Sequence, residues 1–469
     1  MRLKIGLLIL SALLLSLSIL IPYGSFLAFI AFVSFFAFID QTSTQKAFLS
    51  GVFLGVVYFS TLFIWIPKYE LKIFFLVLFV ATPFLALTGS LIQILWQRTN
   101  PILRILIPPI SWSVVFFIYS FTPFDTLGNL MTFLVAPYFP GILRTIGVSG
   151  LTFTIFLTNS FIYHALKYNH RTAKIGFFVI CLMLLLTSYS KIESKNSSPL
   201  TFGIVQHNFP IQPEWRFQNK EFVLTSYEKS IRSLAHRELI VFPQFGLPID
   251  ALREPELFNR LANETKSSIL LATYLPKEPG GSLESGRRTD SALLFSPNNP
   301  VQEYQAVTPP PFRHIGQIKG SGRRPFKIKN ILVGIMLCYE DTRPEEARTW
   351  ILNGAEILFA LSNPGHFLGT ELPSYHLAQD QIRAAETGKY IVRASPNGYS
   401  AIIDPNGRII TKSGLAEKVI ISGMVYPNSD KTIFVRYGYL FSLVMGLAGL
   451  GLIAYYALNS IKRLALNIR

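Results

Sequence analysis

Apolar residues along this chain follow two rhythms. Up to about residue 190 they form long blocks broken by short basic turns, and a last such block begins after residue 432. Between those limits the apolar runs are short and alternate with polar, turn-forming segments. A helix of about 20 apolar residues spans the roughly 30 Å core of a bilayer. Seven such blocks precede the middle region, at 5–21, 24–40, 47–66, 73–96, 104–122, 148–166 and 174–190, and an eighth covers 434–458. The basic start, Met1 to Lys4, looks like that of a signal peptide. It lacks a small-x-small cleavage site and more spans follow at once, so the first block is expected to stay as a helix. Pro108-Pro109 predicts a kink or break at the start of the fifth helix, with backbone groups in need of partners. The long connection Thr122–Gly147 carries Phe124, Leu130, Met131, Phe133, Tyr138 and Phe139, a composition that predicts an interfacial or re-entrant segment.

The middle region alternates strand and helix patterns. Strands are predicted at Thr201–Gln206, Leu239–Phe242, Ile269–Tyr274, Ala292–Phe295, Leu332–Cys338, Ile357–Leu361, Tyr390–Ala394, Ala401–Asp404 and Arg408–Thr411. Helices are predicted at Asn219–His236, Pro255–Lys266, Pro344–Asn353 and Tyr375–Gly388. That order gives an α/β sandwich. Ser190–Pro199 reads as a flexible linker, and the Gly-, Ser- and charge-rich Pro276–Arg288 as a mobile surface loop. The chain thus has three parts: 1–190, a seven-helix membrane domain; 191–432, a water-exposed α/β domain; and 433–469, a closing helix and tail.

Composition agrees. Half of the 469 residues are hydrophobic, 15% are charged and the mean hydropathy is +0.38, too apolar for an ordinary soluble protein. The formal charge of +16 raises nucleic acid or anionic lipid as partners. No zinc-finger spacing, RNA-binding aromatic signature or basic helix accompanies it, so nucleic acid is rejected. Much of the excess sits in membrane turns: Arg2 and Lys4, Lys46, Arg98 and Arg104, Lys167, Arg171 and Lys174, then Lys462, Arg463 and Arg469. These put the N-terminus, those turns and the C-terminus in the cytoplasm, and an odd number of spans then puts 191–432 outside it. The turn with Lys68 and Lys72, diluted by Glu70, is the exception. Cys181 lies in an apolar block and Cys338 in the α/β region, so no structural disulfide is expected. The seven His show no metal-ligand spacing, and no metal or other cofactor is predicted.

Candidate chemistry centres on Ile331–Glu340. A short apolar run there reads as a buried strand ending at Cys338, with Tyr339 and Glu340 behind it. Nucleophiles of α/β folds sit at such strand ends. The alternative is that Cys338 is a small buried apolar residue.

Taken with its surroundings, this stretch resembles apolipoprotein N-acyltransferase, a membrane-embedded branch of the nitrilase or carbon–nitrogen hydrolase superfamily. The resemblance is carried by Gly51-Val-Phe-Leu-Gly-Val-Val-Tyr58 with Trp65, by Val205-Gln-His-Asn208, and by Trp215 and Leu239-Ile-Val-Phe-Pro243. Leu337-Cys-Tyr-Glu340, Asn363, and the helix His376–Gly388 ahead of Arg393-Ala-Ser-Pro-Asn-Gly398 complete it. It implies an αββα sandwich, a bacterial cytoplasmic (inner) membrane location and a periplasmic 191–432. It also implies a two-step reaction: a cysteine takes a fatty acyl chain from a phospholipid as a thioester, and the N-terminal amine of a diacylglyceryl lipoprotein accepts it. A Glu base and an oxyanion-stabilising Lys assist the cysteine.

Only the nucleophile carries over, onto Cys338, with Tyr339, Glu340 and Asn363 in supporting places. The base position holds Gln244 and the lysine position Ala306; the Glu closing the following run is His314, and the lid after Asn363 reads Pro364-Gly-His366-Phe367. A Gln amide accepts no proton at neutral pH, and a general base is worth about 10²–10⁴-fold. Loss of one oxyanion donor costs about 10²–10³-fold. His314, His366, Arg313 and Lys319 are possible replacement groups, the two His read more readily as loop surface residues, and Glu340 also reads as a structural carboxylate. The substitutions predict weak or lost chemistry. Three readings stand open: a rearranged acyltransferase; a pseudoenzyme holding lipid or lipoprotein or partnering an active paralogue; and, fitting poorly, an amidase on an anchor.

Overall fold

The long apolar blocks are helices in the computed structural model of the chain. The structure describes all residues except 1, 22, 69, 123–134, 190–191, 193–196, 246, 277–286, 311–316 and 468–469. The chain divides into two compact units, one of Met1–Ser190 with Tyr437–Arg469, the other of Lys191–Arg436.

The first unit holds α1 (Arg2–Leu20), α2 (Ala28–Ile39), α3 (Thr44–Leu62), α4 (Leu71–Trp96), α5 (Ile107–Tyr119), α6 (Pro140–Tyr168), α7 (Arg171–Tyr189) and a closing helix Leu440–Asn467. Among the described residues five are long and apolar enough to cross a membrane: α3, α4, α6, α7 and the closing helix. In α1 the apolar stretch is only Ile5–Leu20, and α2 and α5 are shorter because each begins as a 3-10 turn, at Gly24–Leu27 and Leu103–Leu106. The break expected at Pro108-Pro109 falls where the 3-10 turn Leu103–Leu106 gives way to α5. Both prolines stand in the first turn of α5, where their missing N–H groups cost no intrahelical bond. Helix α6 starts earlier than its apolar pattern, at Pro140, and is interrupted at Gly147, whose φ of 68° and ψ of −175° few other residues adopt. The candidate re-entrant segment lies outside the described residues over 123–134; its far end, which is described, forms a 3-10 turn, Ala136–Tyr138, and the first piece of α6.

Polar and small residues do the joining in this unit. A Cβ on Gly51 would lie 2.5 Å from the Leu85 carbonyl oxygen, and one on Gly55 2.9 Å from that of Thr82. Helices α3 and α4 therefore meet almost backbone to backbone, the close approach that small residues permit where no hydrophobic drive separates lipid from protein. Asn159 on α6 accepts from the Phe32 N–H at 2.8 Å and donates to the Ala28 carbonyl at 2.9 Å, completing the first turn of α2 where water is scarce.

The second unit runs β1 (Leu200–Gln206), α8 (Pro213–Gln218), α9 (Lys220–Ser233), β2 (Leu239–Gln244), α10 (Glu256–Thr265), β3 (Ser268–Pro276), β4 (Arg288–Phe295), β5 (Gln302–Gln305), β6 (Phe326–Ile328), β7 (Ile331–Leu337), α11 (Pro344–Leu352), β8 (Ile357–Leu361), α12 (Leu372–Thr387), β9 (Ile391–Ala394), β10 (Ala401–Ile403), β11 (Ile409–Lys412) and β12 (Val419–Val425). Two six-stranded sheets form, ordered β12-β1-β2-β3-β4-β5 and β11-β10-β9-β8-β7-β6. Each has three parallel strands at its centre, β1-β2-β3 and β9-β8-β7, with antiparallel strands outside. Phe202, Val241, Leu270 and Leu294 of one sheet pack against Ile335, Phe359, Val392 and Ile402 of the other. Helices α9 and α10 cover the first sheet with Val223, Tyr227, Phe258 and Leu261. Helices α11 and α12 lie on the second. This is the predicted αββα sandwich.

Strands β5, β6 and β12 escape the apolar pattern because they are short or lie at sheet edges. Strand β4 corrects the loop reading of Pro276–Arg288 at its far end: it begins at Arg288, and its polar first residues, Arg288 to Ser291, are buried.

His207, just past β1, stacks on Phe209 with centroids 4.6 Å apart, faces Tyr227 at 4.8 Å and contacts the Ser230 hydroxyl through Nε2 at 3.0 Å. Burial, with the Lys418 charge, holds its pKa at about 4. The unfolded chain then binds a proton that the folded one refuses, so stability falls as pH drops from about 6.5 to 4. His207→Phe, which keeps the stack, is expected to flatten that limb, worth on the order of 3 kcal/mol, in urea melts of the full chain in detergent at pH 7 and 4.5.

Candidate active site

The carboxyl ends of the central parallel strands are where a doubly wound α/β unit exposes its chemistry. At the end of β7 the chain turns sharply, and Cys338 takes a left-handed φ of 50° as it enters a 3-10 turn, Cys338–Thr342. For a residue with a Cβ that conformation costs about 1–2 kcal/mol, so neighbours must hold it. Glu340 does. Its carboxylate accepts the Leu337 N–H at 2.9 Å behind the turn. It also accepts the Tyr304 hydroxyl at 2.8 and 2.9 Å on its two oxygens, and the Val307 and Thr308 N–H groups at 2.8 and 3.1 Å. Burial and the nearby Glu346 charge push its pKa up to about 8, against the pull of those donors. Glu340 is thus the structural carboxylate that binds the cysteine turn to the stretch after β5.

A second buried network lies beside it. Asp341 accepts the Ser362 hydroxyl at 2.7 Å and Arg393 at 3.2 Å, and pairs with His376. Arg393 also donates to Asp380 at 2.5 Å, to the Tyr399 carbonyl at 3.1 Å and to His376 Nδ1 at 3.1 Å. Burial raises the Asp341 pKa, but His376, Arg393 and Ser362 outweigh it and hold the group low. Burial and the Asp341 charge push Asp380 up to about 6. The His376 and Arg393 of the sequence motifs therefore meet in one place, behind the residue that follows Glu340.

Gln244 ends β2 and is buried; its Nε2 donates to Asp290 Oδ2 on β4 at 3.1 Å. Ala306, just past β5, is buried among apolar side chains of the sandwich, with its N–H on the Asp290 carbonyl at 2.8 Å and its own carbonyl accepting from Gly320 at 2.8 Å. Tyr274 on β3 pairs in register with Asp290, and the Arg288 guanidinium lies over the Tyr274 ring at 4.6 Å. Burial, then the charges of Asp290 and a Cys338 thiolate, push the Tyr274 hydroxyl up, which puts all three groups within one electrostatic neighbourhood.

The remaining candidates are scattered. Tyr339 is half-buried, and its carbonyl accepts the Thr342 hydroxyl at 2.7 Å. Asn363 Oδ1 accepts the Gly365 N–H at 3.1 Å, opening the 3-10 turn Gly365–Phe367 in which His366 sits. Lys319 is exposed, on a segment that runs beside Ala306 and Arg288. Arg313 and His314 lie outside the described residues. Three residues were missed from the sequence: Tyr274, Arg288 and Asp290. Their signal was alternation, since 288, 290, 292 and 294 share one face of β4 and the last two are core.

Two family models match the chain: the apolipoprotein N-acyltransferase N-terminal domain over 11–161 and the carbon–nitrogen hydrolase domain over 211–427. The apolipoprotein N-acyltransferase of Nostoc sp. is 25% identical, over 82% of this chain and 83% of its own. That of Geobacter metallireducens is 24% identical, over 92% and 91%. A carbon–nitrogen hydrolase structure from Helicobacter pylori G27 aligns with a TM-score of 0.41 at 16% identity, over 52% of this chain and 94% of that one. With both domains present in order and relatives matching along nearly its whole length, the chain resembles the apolipoprotein N-acyltransferases throughout.

Proposed function

We propose that this chain works in lipoprotein N-acylation, with Cys338 as nucleophile and with a rate reduced by the loss of the usual base and lysine. The thiol takes a fatty acyl chain from a phospholipid as a thioester, and the N-terminal amine of a diacylglyceryl lipoprotein removes it. One observation carries the reading: Cys338 is held in a left-handed backbone conformation that a packing cysteine does not need. Glu340 and Asp341, through buried networks, sustain that turn on either side. The second reading, a protein that holds lipid or lipoprotein without chemistry or partners an active paralogue, is favoured by Ala306, which offers neither donor nor charge where the family's lysine is expected.

We place the chain in the bacterial inner membrane, with 191–432 on the periplasmic side, on the distribution of Arg and Lys among the membrane turns. Arg260→Cys, on an exposed face of α10, should then react with a membrane-impermeant thiol reagent in spheroplasts. Labelling only after lysis would reverse the orientation.

The chemistry is tested by intact-protein mass spectrometry of the chain purified from membranes, with Cys338→Ala alongside. The expected result is a fatty-acyl increment on the wild type that hydroxylamine removes and that the variant lacks. A bare mass after incubation with phospholipid overturns the reading and leaves the binding role.

A further inference from the structure

The carboxylate missing from position 244 has a counterpart one hydrogen bond away. Gln and Glu have the same shape, so Gln244 Nε2 stands where one carboxylate oxygen of a Glu would be. Asp290 Oδ2 lies 3.1 Å from it, and both side chains are buried. A Glu at 244 would bring two carboxylates together at that distance, and only one of them could ionise. With Gln at 244 the amide donates to Asp290 and fixes its orientation. The negative charge of this corner has been displaced, not deleted.

The surroundings fit that exchange. Asp290 is bound through its backbone carbonyl to Ala306, so it also adjoins the vacated lysine position. It lies opposite Tyr274 on β3, whose hydroxyl is in the field of both Asp290 and Cys338. Arg288, buried and on the same face of β4, places a permanent cation over the Tyr274 ring. Of the two carboxylates that follow the thiol in sequence, Glu340 commits both oxygens to Tyr304 and three backbone N–H groups, and Asp341 is held by Ser362, Arg393 and His376.

We infer that Asp290, oriented by Gln244, is the proton acceptor of this site in place of the absent Glu. The inference rests on Cys338 being the acyl-carrying nucleophile. In the first step the Cys338 thiol gives its proton to Asp290 as sulfur bonds to the ester carbonyl carbon. The ester C–O bond then breaks, and Asp290 returns the proton to the departing alkoxide of the lysophospholipid. In the second step the lipoprotein amine bonds to the thioester carbon and its proton passes to Asp290. The C–S bond breaks, and the proton goes back to the thiolate.

The test compares Asp290→Asn, Gln244→Glu and the double variant. The amide oxygen that Asp290→Asn introduces can still accept the Gln244 N–H, so the single change removes charge and leaves shape. The rate of thioester formation, followed by intact mass, should fall about 10²–10⁴-fold in Asp290→Asn. It should recover to within about tenfold of wild type in the double variant, which moves the carboxylate back to 244. A wild-type rate in Asp290→Asn overturns the inference, and so does a double variant as slow as the single. Alkylation of Cys338 by iodoacetamide across pH 5–9 gives a readout that needs no acyl transfer. A change in that profile in Asp290→Asn, reversed in the double variant, supports the pairing of Asp290 with the thiol, and a wild type that takes no acyl chain overturns instead the acyl-carrying reading on which the inference rests. Superimposable profiles overturn it.

Discussion

Arg393→Met destabilises the sandwich by about 3–5 kcal/mol, the usual result of removing one partner from a buried ion cluster. Methionine fills most of the volume, so the loss is electrical. It leaves Asp341 and Asp380 facing each other without the guanidinium that bridges them at 3.2 and 2.5 Å, and it frees the Tyr399 carbonyl. Both carboxylates are wholly buried. The pH dependence has a definite sign: without Arg393 the folded state holds protons on these carboxylates more tightly than the unfolded chain does. The deficit therefore shrinks as the pH falls toward 5 and widens above 7. Chemical denaturation of the full-length chain in detergent, followed by tryptophan fluorescence at several pH values, measures it. A deficit independent of pH would mean that the Arg393 contribution is packing alone.

Glu340→Ala has a comparable effect by a different route, roughly 5 kcal/mol, because the buried Leu337 N–H, the half-buried Val307 and Thr308 N–H groups and the Tyr304 hydroxyl lose their acceptor together. Glu340→Gln should lose less, about 2 kcal/mol, since its amide keeps one acceptor oxygen and the site, with a pKa near 8, already tolerates a neutral group. The same melts rank the two. Equal losses would show that charge, not acceptor capacity, is what Glu340 supplies. In the Ala variant the turn holding Cys338 in its left-handed conformation also loses its bond to Leu337. Acylation and stability should therefore be lost together.

The two hydrophobic rhythms were enough to find the apolar helices and the central strands of both sheets, because buried strands and long apolar helices are the elements that composition constrains most. They failed where polar residues are buried. Arg288, Thr289, Asp290 and Ser291 read as the end of a charged loop, yet they begin a strand whose inner face carries part of the site. Sequence alone pointed to Gln244 and Ala306 as the positions where the resemblance expects Glu and Lys, on a register set by the surrounding Pro, Tyr and Phe. Asp290, which faces one and bonds to the other, is brought there only by pairing between β3, β4 and β5. Pro108-Pro109 was legible as a boundary: the pair stands where the 3-10 turn ends and α5 starts.

The carboxylate of Glu340 also sets an order of assembly. Its bond to Leu337 is local, but its partners Tyr304, Val307 and Thr308 lie 32 to 36 positions away, on the other sheet or just beyond it. Contacts of that separation close late, after the loop entropy between them has been overcome. In a chain emerging from synthesis Tyr304, Val307 and Thr308 precede the thiol, so completion of its turn waits on the meeting of the two sheets and not on residues still to be made. The left-handed geometry of Cys338 is complete only when the two sheets have met, so a partly folded chain carries that thiol on an unconstrained backbone.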